Sequence, residues 1–154
     1  METPECYHLD TNYVINYLLF DYEQNDETRT ARQVVNRLLD REVSIKLSVI
    51  TVGEFVKKLE KFAFPLLDYL AGLIEDQTFQ VCALEESCIG QLGNLVSRIR
   101  QDDNRIEPMD VFIVAHSLID MECRGLLTFE RKQIDSLGLK QIIDASPAPK
   151  NRLK

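Results

Sequence analysis

Apolar residues gather in short runs separated by polar stretches, and the runs alternate between extended and helical spacing. Tyr7–Asp10 is a short strand-like run, and from Asn12 to Phe20 the apolar positions Val14, Ile15, Leu18 and Leu19 recur at helical intervals. The polar stretch Asp21–Thr30 reads as a loop that merges into a helix over Glu27–Glu42, with Ala31, Val34, Val35, Leu38 and Leu39 on one face. Ser44–Ile50 is strand-like, Thr51 begins a helix running to about Ala63, and a further helix runs from Pro65 to Asp76. Phe79–Leu84 is the third strand, and a long helix over Glu85–Gln101 ends in the polar segment Asp102–Arg105. Pro108 suits the first position of a helix reaching Cys123, because its missing N–H costs nothing there. Gly125–Phe129 and Leu139–Ile143 complete the set of strands, and the basic tail 147–154, with Pro147 and Pro149, is expected to fray.

Five short apolar strands separated by helices predict an α/β fold, a mostly parallel five-stranded sheet with helices on both faces, in one domain over residues 1–146. The length of 154 residues is enough for one sizeable core. No apolar run approaches the roughly eighteen residues of a membrane span, and Met1–Pro4 lacks the apolar segment of a signal peptide, so a cytoplasmic protein with no membrane partner is expected. The four cysteines, Cys6, Cys82, Cys88 and Cys123, have apolar neighbours and are read as reduced, mostly buried thiols. Zinc on Cys6, His8 and a distant pair is disfavoured, since there is no Cys-x-x-Cys and Cys82 and Cys88 are poorly spaced.

A net charge of −7 argues against binding a polyanion by overall attraction, but an acidic site that holds divalent cations can still meet phosphates through them. In a parallel sheet the ligand lies beyond the carboxyl ends of the strands. Asp10 closes the first strand, Glu54 follows the second by four residues, Asp110 sits in the first turn of the helix from Pro108, and Glu130 follows "GLLTF". Each also has an ordinary reading. Asp10 can cap its helix, and Thr51 with Glu54 fits a Thr-x-x-Glu capping box, with Glu54 lying on the polar face beside Lys57, Lys58 and Lys61. Asp110 resists such a reading, because "VFIVAHSLI" after it is apolar almost all round and a buried unpaired carboxylate is costly. Carboxylates about 4 Å apart repel by roughly 4 kcal/mol per pair at an effective dielectric near 20, so a cluster either takes up protons or binds cations. Mg²⁺ or Mn²⁺ is the natural counter-charge, and phosphodiester hydrolysis by an activated water the natural chemistry.

The series "HLDTNYVINYL", "SVITVGEF", "EPMDVFIVAHSL" and "GLLTFERKQI" resembles the PIN-domain ribonucleases, the family that includes the VapC toxins of toxin–antitoxin pairs, over nearly the whole chain. The resemblance implies an endoribonuclease with an acidic pocket for Mg²⁺ or Mn²⁺, an antitoxin protein as a partner, and a homodimer. It makes Asp10, Glu54 and Asp110 metal ligands, Asn12 the polar residue that orients Asp10, and Thr128 the hydroxyl at the end of the fourth strand. Glu130 departs from the Asp or Asn more usual there, which leaves a two-metal site open while a one-metal site on the other three acids stands. Asp135 and Asp144, its conceivable substitutes, are expected at the surface. Lys57, Lys58 and Lys61, with Arg29, Arg32 and Arg37, are candidate RNA contacts, whereas His116 and His8 are expected to be packed. A phosphatase of the haloacid dehalogenase type would need Asp where Asn12 stands, and a receiver domain would need an acceptor Asp after the third strand, where Leu84, Glu85 and Glu86 stand. The non-enzymatic alternative is a PIN-like scaffold that has lost catalysis and binds RNA or protein.

Overall fold

The computed structural model describes residues 5–59, 65–144 and 152–153. The elements run β1 (Cys6–Leu9), α1 (Thr11–Leu19), α2 (Asp26–Asp40), β2 (Ser44–Ser48), α3 (Val49–Lys58), α4 (Pro65–Glu75), β3 (Phe79–Cys82), α5 (Ile89–Asp102), α6 (Pro108–Ile119), β4 (Cys123–Leu127), α7 (Arg131–Ile134), α8 (Leu137–Asp144) and β5 (Arg152–Leu153). The strand order is β3-β2-β1-β4-β5 and every described pairing is parallel. Four strands of four or five residues form the body of the sheet, and the two-residue β5 adds only to the β4 edge.

Alternation along the strands sends side chains to two cores. Leu9, Ile45, Leu47, Phe79 and Leu127 pack with residues of α1, α2, α3 and α4 on one face, while Leu126 joins residues of α5, α6 and α8 on the other. Helices therefore cover both faces, as the alternation of strand-like and helical runs predicts. Helix α6 is the most deeply buried, from Val111 through Leu118 apart from Phe112, which is why its sequence is apolar all round.

The fifth strand is a correction. Leu139–Ile143 lies within α8, where Leu139, Ile142 and Ile143 are buried and Lys140 and Gln141 exposed. Those positions are spaced i, i+3, i+4, and a five-residue apolar run does not separate that pattern from a strand. The edge position is taken instead by Arg152–Leu153, inside the tail expected to fray; tail residues 147–151 and 154 lie outside the described residues. The predicted extension of the α3 helix to Ala63 reaches residues 60–63, also outside them. Other boundaries shift slightly. Ser48 ends β2 and caps α3 two residues early, a 3₁₀ turn over Glu86–Cys88 precedes α5, and Cys123 begins β4 rather than ending α6. Among the described residues no helix is long and apolar enough to cross a membrane.

Candidate metal centre

Asp10 leaves the carboxyl end of the central strand β1 and turns the chain into α1. Its Oδ1 accepts from the Thr11 amide at 2.8 Å, so it does cap the helix. The β1–β4 register pairs Leu9 with Leu127 and so brings Thr128 beside Asp10, whose Oδ2 accepts from Thr128 Oγ1 at 2.7 Å. Thr128 Oγ1 in turn accepts from the Glu130 amide at 3.0 Å. Capping and ligation are thus compatible, because the bonds fix the carboxylate and leave lone pairs on each oxygen.

Glu54 comes from α3, whose buried stripe is Thr51, Glu54 and Phe55. Judged by its neighbours in sequence it belongs to a polar face, but the helix turns that stripe inward and leaves Val56 half exposed instead. Thr51 is not the cap, since Ser48 Oγ accepts from the Ile50 amide at 3.1 Å, so the capping-box reading of Thr51 and Glu54 is set aside. Asp110 occupies the third position of α6, after Pro108 at the first and Glu107 as N-cap. Its carboxyl is pushed up to about 7 by burial and by the negative charges of Asp10, Glu54 and Glu130. Burial raises the Asp10 carboxyl too, against the bonds from Thr128 and Thr11.

One oxygen from each of Asp10, Glu54 and Asp110 lies within 4.8 Å of the others. Three acids from distant parts of the chain thus converge at the carboxyl edge of the sheet. Among the described residues buried Glu54 Oε1 has no hydrogen-bond partner, and its contact with Lys58 Nζ, 3.3 Å away, is an ion pair without hydrogen-bond alignment. An all-oxygen donor set with a buried carboxylate oxygen that accepts no hydrogen bond fits a hard divalent cation, which would offset the burial and the repulsion that raise the Asp110 carboxyl.

Glu130 stands apart from this trio. Its carboxylate caps the short α7 by accepting from the Lys132 amide at 3.2 Å, although it lines the same cleft of about 530 Å³ as Glu54 and Asp110. Asn12 does not bond to Asp10 directly; its Oδ1 accepts from the Phe129 amide at 3.3 Å and ties down the end of β4. Lys57 and Lys58 line the cleft, and so does Lys132, which sequence reasoning missed although it lies two residues beyond Glu130. Lys61 lies outside the described residues. Arg32 is committed elsewhere, bonded to the Tyr17 carbonyl at 2.8 Å and stacked over the Tyr17 and Phe20 rings, and Arg29 pairs with Asp26. Asp135 and Asp144 are exposed. His116 is packed as expected, hydrogen-bonded to Ser48 and held neutral by burial, which pulls it down to about 4.

A structural comparison decides the fold. A chain of the crystal structure of VapBC2 from Rickettsia felis bound to a DNA fragment from their promoter superposes with a TM-score of 0.67 at 17% identity, covering 97% of this chain and 97% of that one. The fold is that of a VapC-like PIN domain. No family model and no curated protein matches the sequence, so the likeness is carried by backbone geometry. In this PIN-like frame Thr128 is the residue whose removal isolates a single support. Thr128→Val keeps the shape but deprives Asp10 of a donor and the Glu130 amide of an acceptor, and urea unfolding is expected to show a loss of about 1–3 kcal/mol.

Proposed function

We propose that this chain is a divalent-metal-dependent endoribonuclease that cleaves single-stranded RNA, acting as the toxin of a toxin–antitoxin pair. The observation that carries the reading is the convergence of Asp10, Glu54 and Asp110 within 4.8 Å at the carboxyl edge of a parallel sheet. Mg²⁺ or Mn²⁺ on these residues would supply positive charge for the phosphoryl oxygens and render water nucleophilic at neutral pH. Asp10 is oriented by Thr11 and Thr128 before any ligand arrives, which limits the ordering needed on binding. With a cation held there, Asp110 would ionise and Lys58 would give up Glu54. Glu130, which lines the cleft and accepts from the Lys132 amide, would orient water or a second ion rather than complete the first site.

The cleft is open to a polymer, and Lys57, Lys58 and Lys132 supply cations beside the acids for a phosphate backbone. Lys57→Ala and Lys132→Ala are expected to weaken RNA binding uniformly across sequences. Each should also reduce the salt slope of affinity by about 0.7, as loss of one phosphate contact on a single strand requires. Fluorescence anisotropy at several salt concentrations measures both.

The resemblance to the VapC toxins, together with the likeness to a VapBC2 chain, supports a small antitoxin as partner here, and the reading frame adjacent to this gene is where to look. A homodimer is part of the same proposal, tested by light scattering. The enzymatic reading predicts cleavage of a mixed RNA pool with Mg²⁺ or Mn²⁺ and none in EDTA. Equal cleavage in EDTA overturns the metal mechanism. RNA binding without cleavage in either ion selects the scaffold alternative, and turnover of small phosphate monoesters selects a phosphatase.

A further inference from the structure

At the other end of α6 from Asp110 lies a second cluster of different chemistry. Asp120 follows the last residue of that helix, ten residues beyond Asp110 and so about 15 Å away along the axis at 1.5 Å per residue. Around it the fold gathers His8 from β1, Cys82 from the end of β3 and His116 from α6. One donor atom from each of His8, Cys82 and Asp120 lies within 4.8 Å of the other two. Cys82, His116 and Asp120 line a cavity of about 370 Å³ that opens to solvent.

We propose that His8, Cys82 and Asp120 bind a transition-metal ion of the zinc class at a site independent of the acidic centre. The donor set is the first reason. A thiolate, an imidazole and one carboxylate prefer zinc over the hard ions suited to three carboxylates. Cys82 and Asp120 face the cavity while His8 closes the site from the buried side, so the fourth tetrahedral position is left for water and the cavity gives the ion a way in. His116 Nε2 stands 3.5 Å from Cys82 Sγ, close to the roughly 3.6 Å edge between sulfur and nitrogen on a tetrahedral zinc, so this ring is in reach of the fourth position. Ser48 holds the opposite ring nitrogen and so fixes the orientation of the ring. His8, fully buried, keeps Nδ1 without a partner among the described residues.

Hydrogen bonds and ion pairs already link these donor atoms. His8 Nε2 lies 2.8 Å from Asp120 Oδ2, and Lys46 Nζ lies 3.3 Å from the same oxygen and 3.2 Å from Glu122. On binding, the Cys82 thiol proton and the proton between His8 and Asp120 leave to solvent, and Lys46 shifts to Glu122, its existing second partner. Sequence spacing alone hides this set, because the ligands lie on three separated elements and one is an aspartate. Cys6, His8 and Cys123 form a rival trio, but all three are buried and Cys123 Sγ already donates to the Gly125 carbonyl at 3.2 Å.

The test is a Co²⁺ titration of the full chain with Mg²⁺ in excess to occupy the acidic centre. The expected result is a thiolate-to-cobalt charge-transfer band that saturates at one equivalent per chain and is abolished by Zn²⁺. Cys82→Ser removes the band, whereas Cys6→Ser, Cys88→Ser, Cys123→Ser and Asp110→Asn retain it. Asp120→Asn, which keeps the shape of a half-buried side chain, weakens Zn²⁺ binding in a competition assay at least about tenfold. This second variant decides the matter if Cys82→Ser does not fold. No band in the wild-type chain overturns the proposal, as does a band lost with Cys6 or Cys123 instead of Cys82, or Asp120→Asn binding Zn²⁺ as tightly as wild type.

Discussion

Asp110→Asn is expected to lower Mn²⁺-dependent RNA cleavage by at least about 100-fold while leaving the metal-free protein folded and more stable at pH 8. The substitution keeps the size of the side chain at the third position of α6 and removes only its charge. Cleavage falls because a carboxamide is a poorer ligand for a hard cation, and even residues one step removed from a metal commonly cost 10- to 100-fold. Stability rises because Asp110 is the acid on which burial and the charges of Asp10, Glu54 and Glu130 bear together. A purely structural carboxylate would give the opposite pair of results, with activity intact and stability lowered. Cleavage of a labelled RNA oligonucleotide and a thermal melt in EDTA read the two halves separately, and a fully active Asp110→Asn protein would sink the metal mechanism.

The sequence exposed the acids because their positions relative to strand ends are set by local patterning. Asp10 after Tyr7–Leu9 and Asp110 after Pro108 could be placed at one edge as soon as the sheet was read as parallel. Glu54 was harder. Its neighbours Lys57 and Lys58 argue for a solvated face, and only the packing of α3 against α6 and α1 shows that Thr51, Glu54 and Phe55 turn inward. The direction a helix faces is a tertiary outcome, and where a stripe mixes polar and apolar residues the hydrophobic period does not fix it.

The same limit explains the fifth strand. Leu139–Ile143 satisfies helix and strand templates equally, and the choice is made by the α5–α6 core that receives Leu139, Ile142 and Ile143. Asn12 illustrates a subtler gap. The resemblance implies that it supports Asp10, but that it reaches the Phe129 amide instead depends on the β1–β4 register, which no local pattern supplies. Lys132 and Glu130 are linked through the turn into α7, a four-residue helix with no period to detect.

The acidic centre also sets a pH dependence with a definite sign. In the folded chain the Asp110 carboxyl is pushed up to about 7, against the ordinary 3.8 that stands for the unfolded chain. Below about pH 4 both states hold the proton, and between there and about pH 7 only the folded state does. Stability therefore falls as pH rises through that window and levels off above it. That difference, worth roughly 4 kcal/mol undiscounted and less for the solvent that still reaches a half-buried group, leaves about 2 kcal/mol, or about 4–8 °C in melting temperature for a chain of this size. Other groups titrate in the same range. His116, held neutral down to about pH 4, costs stability as pH falls below about 6.5, so it works against the Asp110 trend. The informative quantity is thus the melting temperature of wild type minus that of Asp110→Asn in EDTA, which is expected to become more negative from pH 5 to pH 8. Mn²⁺ should raise the wild-type melting temperature at pH 8, when the acids are ionised, and much less at pH 5, when protons compete for the same oxygens. A wild-type-to-variant difference that stays flat across this range would mean that Asp110 does not carry the strain of the cluster, and the three acids would then have to be read as independent groups rather than as one centre.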